Sequence, residues 1–112
     1  MGILAEQWVA RHLVQQGWQV LARNWRARRG EIDIVVSRSG QLRFVEVKAR
    51  NTLEAGLEAV GHRKQRALTH AAEAYLAMHT VLADEVGFLL AVVTPHSGTP
   101  VITLFDHPFD RS

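Results

Sequence analysis

Two carboxylates and one amine in the middle of the chain are spaced so that they can act together. Residues 31–37 (Glu-Ile-Asp-Ile-Val-Val-Ser) and 42–50 (Leu-Arg-Phe-Val-Glu-Val-Lys-Ala-Arg) are rich in β-branched residues and flank Arg38-Ser39-Gly40-Gln41. This is the pattern of a hairpin with its tip at Ser39-Gly40. A turn centred between those two residues opposes positions whose numbers sum to 79, the sum of the turn positions themselves. Asp33 then faces Glu46, Glu31 faces Lys48 and Val35 faces Phe44, all six on one side of the strand pair. Ile32, Ile34, Val36, Val45 and Val47 fall on the other side and read as core.

Opposed side chains place their Cβ atoms about 5 Å apart, and like charges there destabilise the pair. At an effective dielectric of about 20 the repulsion of two carboxylates at that distance is about 3 kcal/mol, a large loss for a small domain. Lys48, protonation of one carboxyl, or a divalent cation between the oxygens would each offset it. The chain has no cysteine, so a site on these strands is limited to oxygen ligands, which suit Mg²⁺ (or Mn²⁺ in its place) with waters completing the shell. Lys48, two residues after Glu46, shares its face and can orient a water or stabilise charge growing on a phosphate. The plainer alternative is an exposed ion-pair ladder, but Val35 and Phe44 on the same face argue that it is partly covered.

The elements needed to hold these strands can be read along the chain. At 112 residues and 47% hydrophobic the chain has the size of one α/β domain, 1–112, with a single core and any site at its edge. Leu4, Trp8, Val9, His12, Leu13 and Gln16 recur at helical spacing over 3–16, and Gly17 stands where a left-handed residue ends a helix. Residues 18–23 predict a short strand and 24–30 a basic loop. Residues 51–60 show no period. A second helix over 61–79 presents Leu68, Ala71, Ala72, Tyr75 and Leu76 on one face, with Arg63, Lys64 and Arg66 in its first turns. The apolar run 86–94 reads as a strand buried on both faces, and 101–105 as a last strand. The expected order is αβββαββ. Trp8, Trp18 and Trp25 are expected in the core.

The net charge of +2 conceals an uneven distribution. Residues 23–66 carry eleven basic and five acidic groups, and residues 67–112 carry Arg111 against five acids. A basic middle around the acidic hairpin points to a polyanion partner. The six histidines lack the spacing of a zinc site, and no nucleophile elbow or Gly-rich phosphate loop occurs. The N-terminus has no signal-peptide ramp, and no apolar run approaches membrane-spanning length, so the expectation is a cytoplasmic protein without membrane contact.

Gly30-Glu31-Ile32-Asp33 followed by Phe44-Val45-Glu46-Val47-Lys48 resembles the D-(x12)-E-x-K form of the PD-(D/E)xK nuclease signature. Its setting resembles the YraN-type family of small bacterial proteins, which are similar to archaeal Holliday-junction resolvases. Gly2, Glu6, Ala10, Leu13 and Gly17, then Arg23-Asn24-Trp25-Arg26, then Val60, Lys64, Gln65, Leu68, Tyr75 and Leu76 carry the likeness over residues 2–77.

The resemblance implies a restriction-endonuclease-like fold, a central mixed sheet flanked by helices, and Mg²⁺-dependent hydrolysis of DNA phosphodiester bonds at branched or junction structures. Asp33, Glu46 and the carbonyl of Val47 would be metal ligands, with Glu6 supplementing them, and Lys48 would be catalytic. Arg23, Arg26, Arg28, Arg29, Lys64 and Gln65 would contact nucleic acid. Gly87-Phe88-Leu89 stands where members of that family carry Arg-Phe-Asp. A homodimer is expected on functional grounds, because symmetric junction cleavage needs two sites. Two other readings remain open: a non-catalytic nucleic-acid-binding module that keeps the fold, and an interaction domain indifferent to nucleic acid.

Overall fold

The computed structural model describes residues 2–108, with the backbone alone for residues 2, 3, 62, 63 and 108; Arg111 and the Arg63 side chain, which contribute to the charge distribution, lie outside the described residues. The chain runs α1 (Gly2–Gln15), β1 (Gln19–Ala27), β2 (Gly30–Arg38), β3 (Gln41–Ala49), α2 (Leu53–Glu58), α3 (His62–Met78), β4 (Glu85–Thr94) and β5 (Val101–Pro108). The fold is mixed α/β, with one five-stranded mixed sheet in the order β1-β2-β3-β4-β5.

Helix α1 buries Ala5, Val9, Ala10 and Leu13, three or four residues apart, against the sheet, and Gly17 ends it at φ 93. The Ser39-Gly40 turn has both residues at positive φ, 47 and 80. That matches the right-handed twist of the strands it joins. The expected register follows, with Ile34 opposite Val45, Val35 opposite Phe44 and Arg38 opposite Gln41. β3 and β4 pair in parallel through a crossover holding α2 and α3.

Three local expectations are corrected. The predicted loop 24–30 is mostly strand: β1 continues to Ala27, and only Arg28 and Arg29 form the turn into β2. Pairing with β2 satisfies the backbone of this polar stretch, which its composition alone does not reveal. Residues 53–58 form a short helix whose N-cap Thr52 accepts the N–H of Ala55 at 3.1 Å. It is too short to show a period, so the order is αβββααββ. Finally, the alternation of β2 breaks at Asp33. Ile32 and Val35, three residues apart, both pack on the α3 side, whereas Ile34 and Val36 pack on the α1 side. Ile32 is therefore not on the face predicted for it.

The same step is skipped across the ladder. Ala22 and Trp25 of β1 both lie on the α3 side, and between them Asn24 takes φ 51, a conformation asparagine tolerates better than most residues. Arg23–Ile34 and Trp25–Ile32 pairs bracket this irregularity.

The sheet thus carries a core on each face, one under α1 and one under α3. Trp18 is buried, and Trp8 and Trp25 are half-buried against these cores, as expected from the sequence. Gly30 permits the close approach of α3, since a Cβ there would meet the carbonyl oxygen of Ala67 at 2.2 Å. No helix among the described residues is long and apolar enough to cross a membrane.

Candidate active site

The β2–β3 ladder ends at Ile34–Val45, so Asp33 and Glu46 are not a cross-strand pair, nor are Glu31 and Lys48. The strands part there, and the Oδ2 of Asp33 accepts the N–H of Val47 at 2.8 Å. The extended register holds up to the site and then yields, because the skipped step at Asp33 turns its carboxylate toward the neighbouring backbone. Glu31 pairs instead with Arg26 at 3.8 Å.

Glu46 is 4% exposed on the α3 side of β3. Its Oε1 lies 3.4 Å from the Nζ of Lys48 and 3.7 Å from the Nζ of Lys64. Lys48 comes from the same strand and is itself largely buried; Lys64 reaches in from the first turn of α3 and is half-exposed. The Oε2 of Glu46 is buried without a hydrogen-bond partner. Burial, first, and the nearby Asp33, second, push its carboxyl up to about 7 against the two lysines; protonated, it can donate to Asp33, which adds in the same direction. This buried carboxylate beside one aspartate and two ammonium groups is the kind of perturbed site where chemistry is found.

Glu6 approaches from α1. It is 9% exposed, and its Oε1 also lacks a hydrogen-bond partner. Burial, then Asp33, raise its carboxyl, while Arg23 and a hydrogen bond with Asn24 oppose them. Asp33 is thus the acid that acts on both glutamates. Among the described residues, however, no three His, Asp or Glu side chains gather into a ready metal cage. Glu6 is therefore not joined with Asp33 and Glu46 in one cluster. The donor set fits a cation that takes one or two carboxylates and keeps its waters, as Mg²⁺ does, since Asp33 adjoins Glu46 and the buried Oε2 of Glu46 has no hydrogen-bond partner.

The basic residues divide into two groups. Arg23, Arg26, Arg28 and Arg29 are exposed, and the Arg28-Arg29 turn is at the same end of the sheet as Asp33. Gln65 is exposed and donates to the carbonyl of Val60 at 3.4 Å. Lys64, expected to contact nucleic acid, lies against Glu46. A cleft of about 690 Å³, not expected from the sequence, begins at Glu46, with Phe88, Leu90 and Phe105 in its floor and Gln65 and Thr69 in its wall. Its signal was the run of apolar residues in β4, read only as buried strand.

A family model with the description "Uncharacterised protein family UPF0102" matches residues 5–94. The chain belongs to the UPF0102 family. A UPF0102 protein of Gloeobacter violaceus is 50% identical over 114 aligned positions, covering 96% of this chain and 90% of the relative. One of Trichlorobacter lovleyi is 39% identical over 98% of the chain and 90% of the relative. One of Synechococcus is 49% identical over 75% of the chain, and that stretch spans 66% of the relative.

The UPF0102 match includes Glu6, Asp33, Glu46 and Lys48 and ends at Thr94. It also covers Leu89, the departure noted in the sequence. Leu89 is 6% exposed and packs in the α1-side core, whereas its neighbour Leu90 pairs with Glu46. Position 89 therefore faces away from Glu46. The nearby arginine–carboxylate pair comes instead from flanking strands: buried Arg43 of β3 binds Asp106 of β5 at 2.8 Å and also Glu85, and it lies against Gly87.

Proposed function

We propose that this UPF0102 protein is a divalent-cation-dependent endonuclease that hydrolyses DNA phosphodiester bonds, on a restriction-endonuclease-like fold. The observation that carries the reading is Glu46: a carboxylate 4% exposed, with Oε2 unpartnered, adjoining Asp33 and 3.4 Å from Lys48. Holding a charge in that position is costly unless it is paired or coordinated. The antiparallel β1–β2–β3 meander followed by a helical crossover to parallel β4 supports the fold assignment.

Asp33, Glu46 and the Val47 carbonyl would hold Mg²⁺ or Mn²⁺. When bound, the cation supplies neutralisation of charge on the scissile phosphate and a water of lowered pKa. The chain's own groups do the rest. The Val47 N–H fixes the Asp33 carboxylate. Lys48, held by Glu46, presents its ammonium where a water is oriented and where charge grows in the transition state. Arg28 and Arg29, exposed on the turn, grip phosphates flanking the cut. Glu6, buried under α1 with its carboxyl raised by that burial and by Asp33, would supplement Asp33 and Glu46. A second copy of the chain would supply the second site for a symmetric junction.

The test is cleavage of labelled linear and branched DNA with Mg²⁺ or Mn²⁺ by the wild type, Asp33→Ala and Lys48→Ala. Cleavage by the wild type alone supports the assignment, and equal activity in all three removes it. Salt-sensitive binding that survives Asp33→Ala, with no cleavage of any substrate, would instead mark a non-catalytic binding module.

A further inference from the structure

Two side-chain rows cross β3, β4 and β5 on the α3 side of the sheet. In the first, Phe44 pairs with Phe88 and Phe88 with His107, with ring centroids 6.0 and 6.3 Å apart. In the second, Glu46 pairs with Leu90 and Leu90 with Phe105. Helix α3 packs over β1 and β2, and the short α2 packs over β4, so part of this face stays open between them. Phe88, Leu90 and Phe105 are only half-buried, and His107 is exposed. The cleft of about 690 Å³ above these rows has the size of a small-molecule site.

Its composition sorts by position. The floor is apolar and aromatic, whereas the wall from α3 carries Gln65, Arg66 and Thr69. Lys64 stands at the end where Glu46 lies. An aromatic floor with hydrogen-bonding groups at its side and cations at its rim complements a nucleobase joined to phosphate. The cleft ends on Glu46, the carboxylate proposed to hold the cation that neutralises that phosphate. A flat apolar ligand without charge would leave the rim unused, and a fully paired helix would present no base face to the floor.

We propose that the cleft over Phe88 and Phe105 receives an unpaired nucleobase of the strand cut at Glu46, so that the substrate is DNA carrying at least one unstacked nucleotide beside the scissile bond. The position of the scissile bond rests on the nuclease reading; the binding preference does not. The base lies on the Phe88 and Phe105 rings, and its phosphate is directed toward Lys64 and Glu46.

The experiment measures binding in EDTA, where no cleavage intrudes. The probes are a duplex with one unpaired 2-aminopurine nucleotide and a fully paired duplex of equal length. The wild type is expected to bind the unpaired probe about tenfold more tightly, the worth of one base–aromatic stack, and to raise its fluorescence as the base leaves the DNA stack. Phe105→Ala removes one ring of the floor, and Thr69→Trp fills the cleft from its wall without altering a sheet residue. Both are expected to lose the preference and the fluorescence rise while keeping affinity for the paired duplex. Equal affinity of the wild type for both probes, or an undiminished preference in Thr69→Trp, overturns the proposal. So does sedimentation showing a wild-type dimer that Phe105→Ala dissociates, because a second copy would then cover the cleft. A preference without cleavage in Mg²⁺ leaves this inference standing and removes the catalytic reading; cleavage without a preference does the reverse.

Discussion

The carboxylate of Asp33 accepts the backbone N–H of Val47 at 2.8 Å, the position where a regular β-ladder would have set Asp33 opposite Glu46. The bond holds one acid by the backbone of the strand that carries the other. It keeps Asp33 beside Glu46 against their mutual repulsion, an arrangement that favours a site over stability.

The stability of the cation-free protein should therefore fall as pH rises. Glu46 has a folded value of about 7 against 4.5 for the ordinary group. Below pH 4.5 both states are protonated and the group has no effect. Between 4.5 and about 7 the unfolded chain loses the proton while the fold keeps it, so stability declines and then levels off above 7. The loss is about 3 kcal/mol. Glu6, also raised, acts in the same direction. Urea denaturation in EDTA from pH 4.5 to 8.5 measures it; constant or rising stability across that window contradicts the account.

Asp33→Asn keeps an acceptor for the Val47 N–H and removes the charge that raises Glu46. At pH 8 in EDTA the variant should be as stable as the wild type or more so, by up to about 1–2 kcal/mol, while losing cleavage. A variant that is both less stable and fully active would sink this reading of Asp33.

The two lysines on Glu46 should separate in kinetics. Lys48→Met should lower single-turnover cleavage by about 10²-fold or more with cation affinity retained. Lys64→Ala should keep most of the rate at high pH but lose one of the two charges that lower Glu46, moving the acid limb of the pH–rate profile to higher pH. Coincident profiles for Lys64→Ala and wild type would contradict the electrostatic role.

Arg28 and Arg29 project from an exposed turn, where a polyanion can reach both. If each neutralises one phosphate, the double alanine variant should reduce the salt slope of DNA binding by about 2, uniformly across sequences. Fluorescence anisotropy at several salt concentrations measures the slope, and an unchanged one would assign phosphate contact elsewhere.

Much of this architecture was legible because local rules governed it. Gly17 and Ser39-Gly40 announced a helix end and a tight turn, and the turn alone set the register from Ile34–Val45 to Arg38–Gln41. The candidate site was legible as Asp33, Glu46 and Lys48, since residue type and spacing converge there. Its geometry was not. The alternation that put Ile32 with Ile34 fails because Asn24 takes a left-handed conformation and both strands skip a step, a cooperative irregularity that no single strand displays. The sequence marks Lys64 only as a cation in the first turn of a helix, and the packing of that helix sets it against Glu46. The aromatic rows depend on a parallel pairing of β3 with β4 across a long crossover, which local sequence does not specify.

Whether Glu46 and Asp33 share a divalent cation is tested most directly by calorimetric titration of Mn²⁺ and Mg²⁺ at pH 8. The wild type should bind with measurable heat, and Glu46→Ala should bind at least about tenfold more weakly, as expected when one of two carboxylate ligands is lost. Superimposable isotherms for the two proteins, or no cation-dependent heat in the wild type, would contradict it.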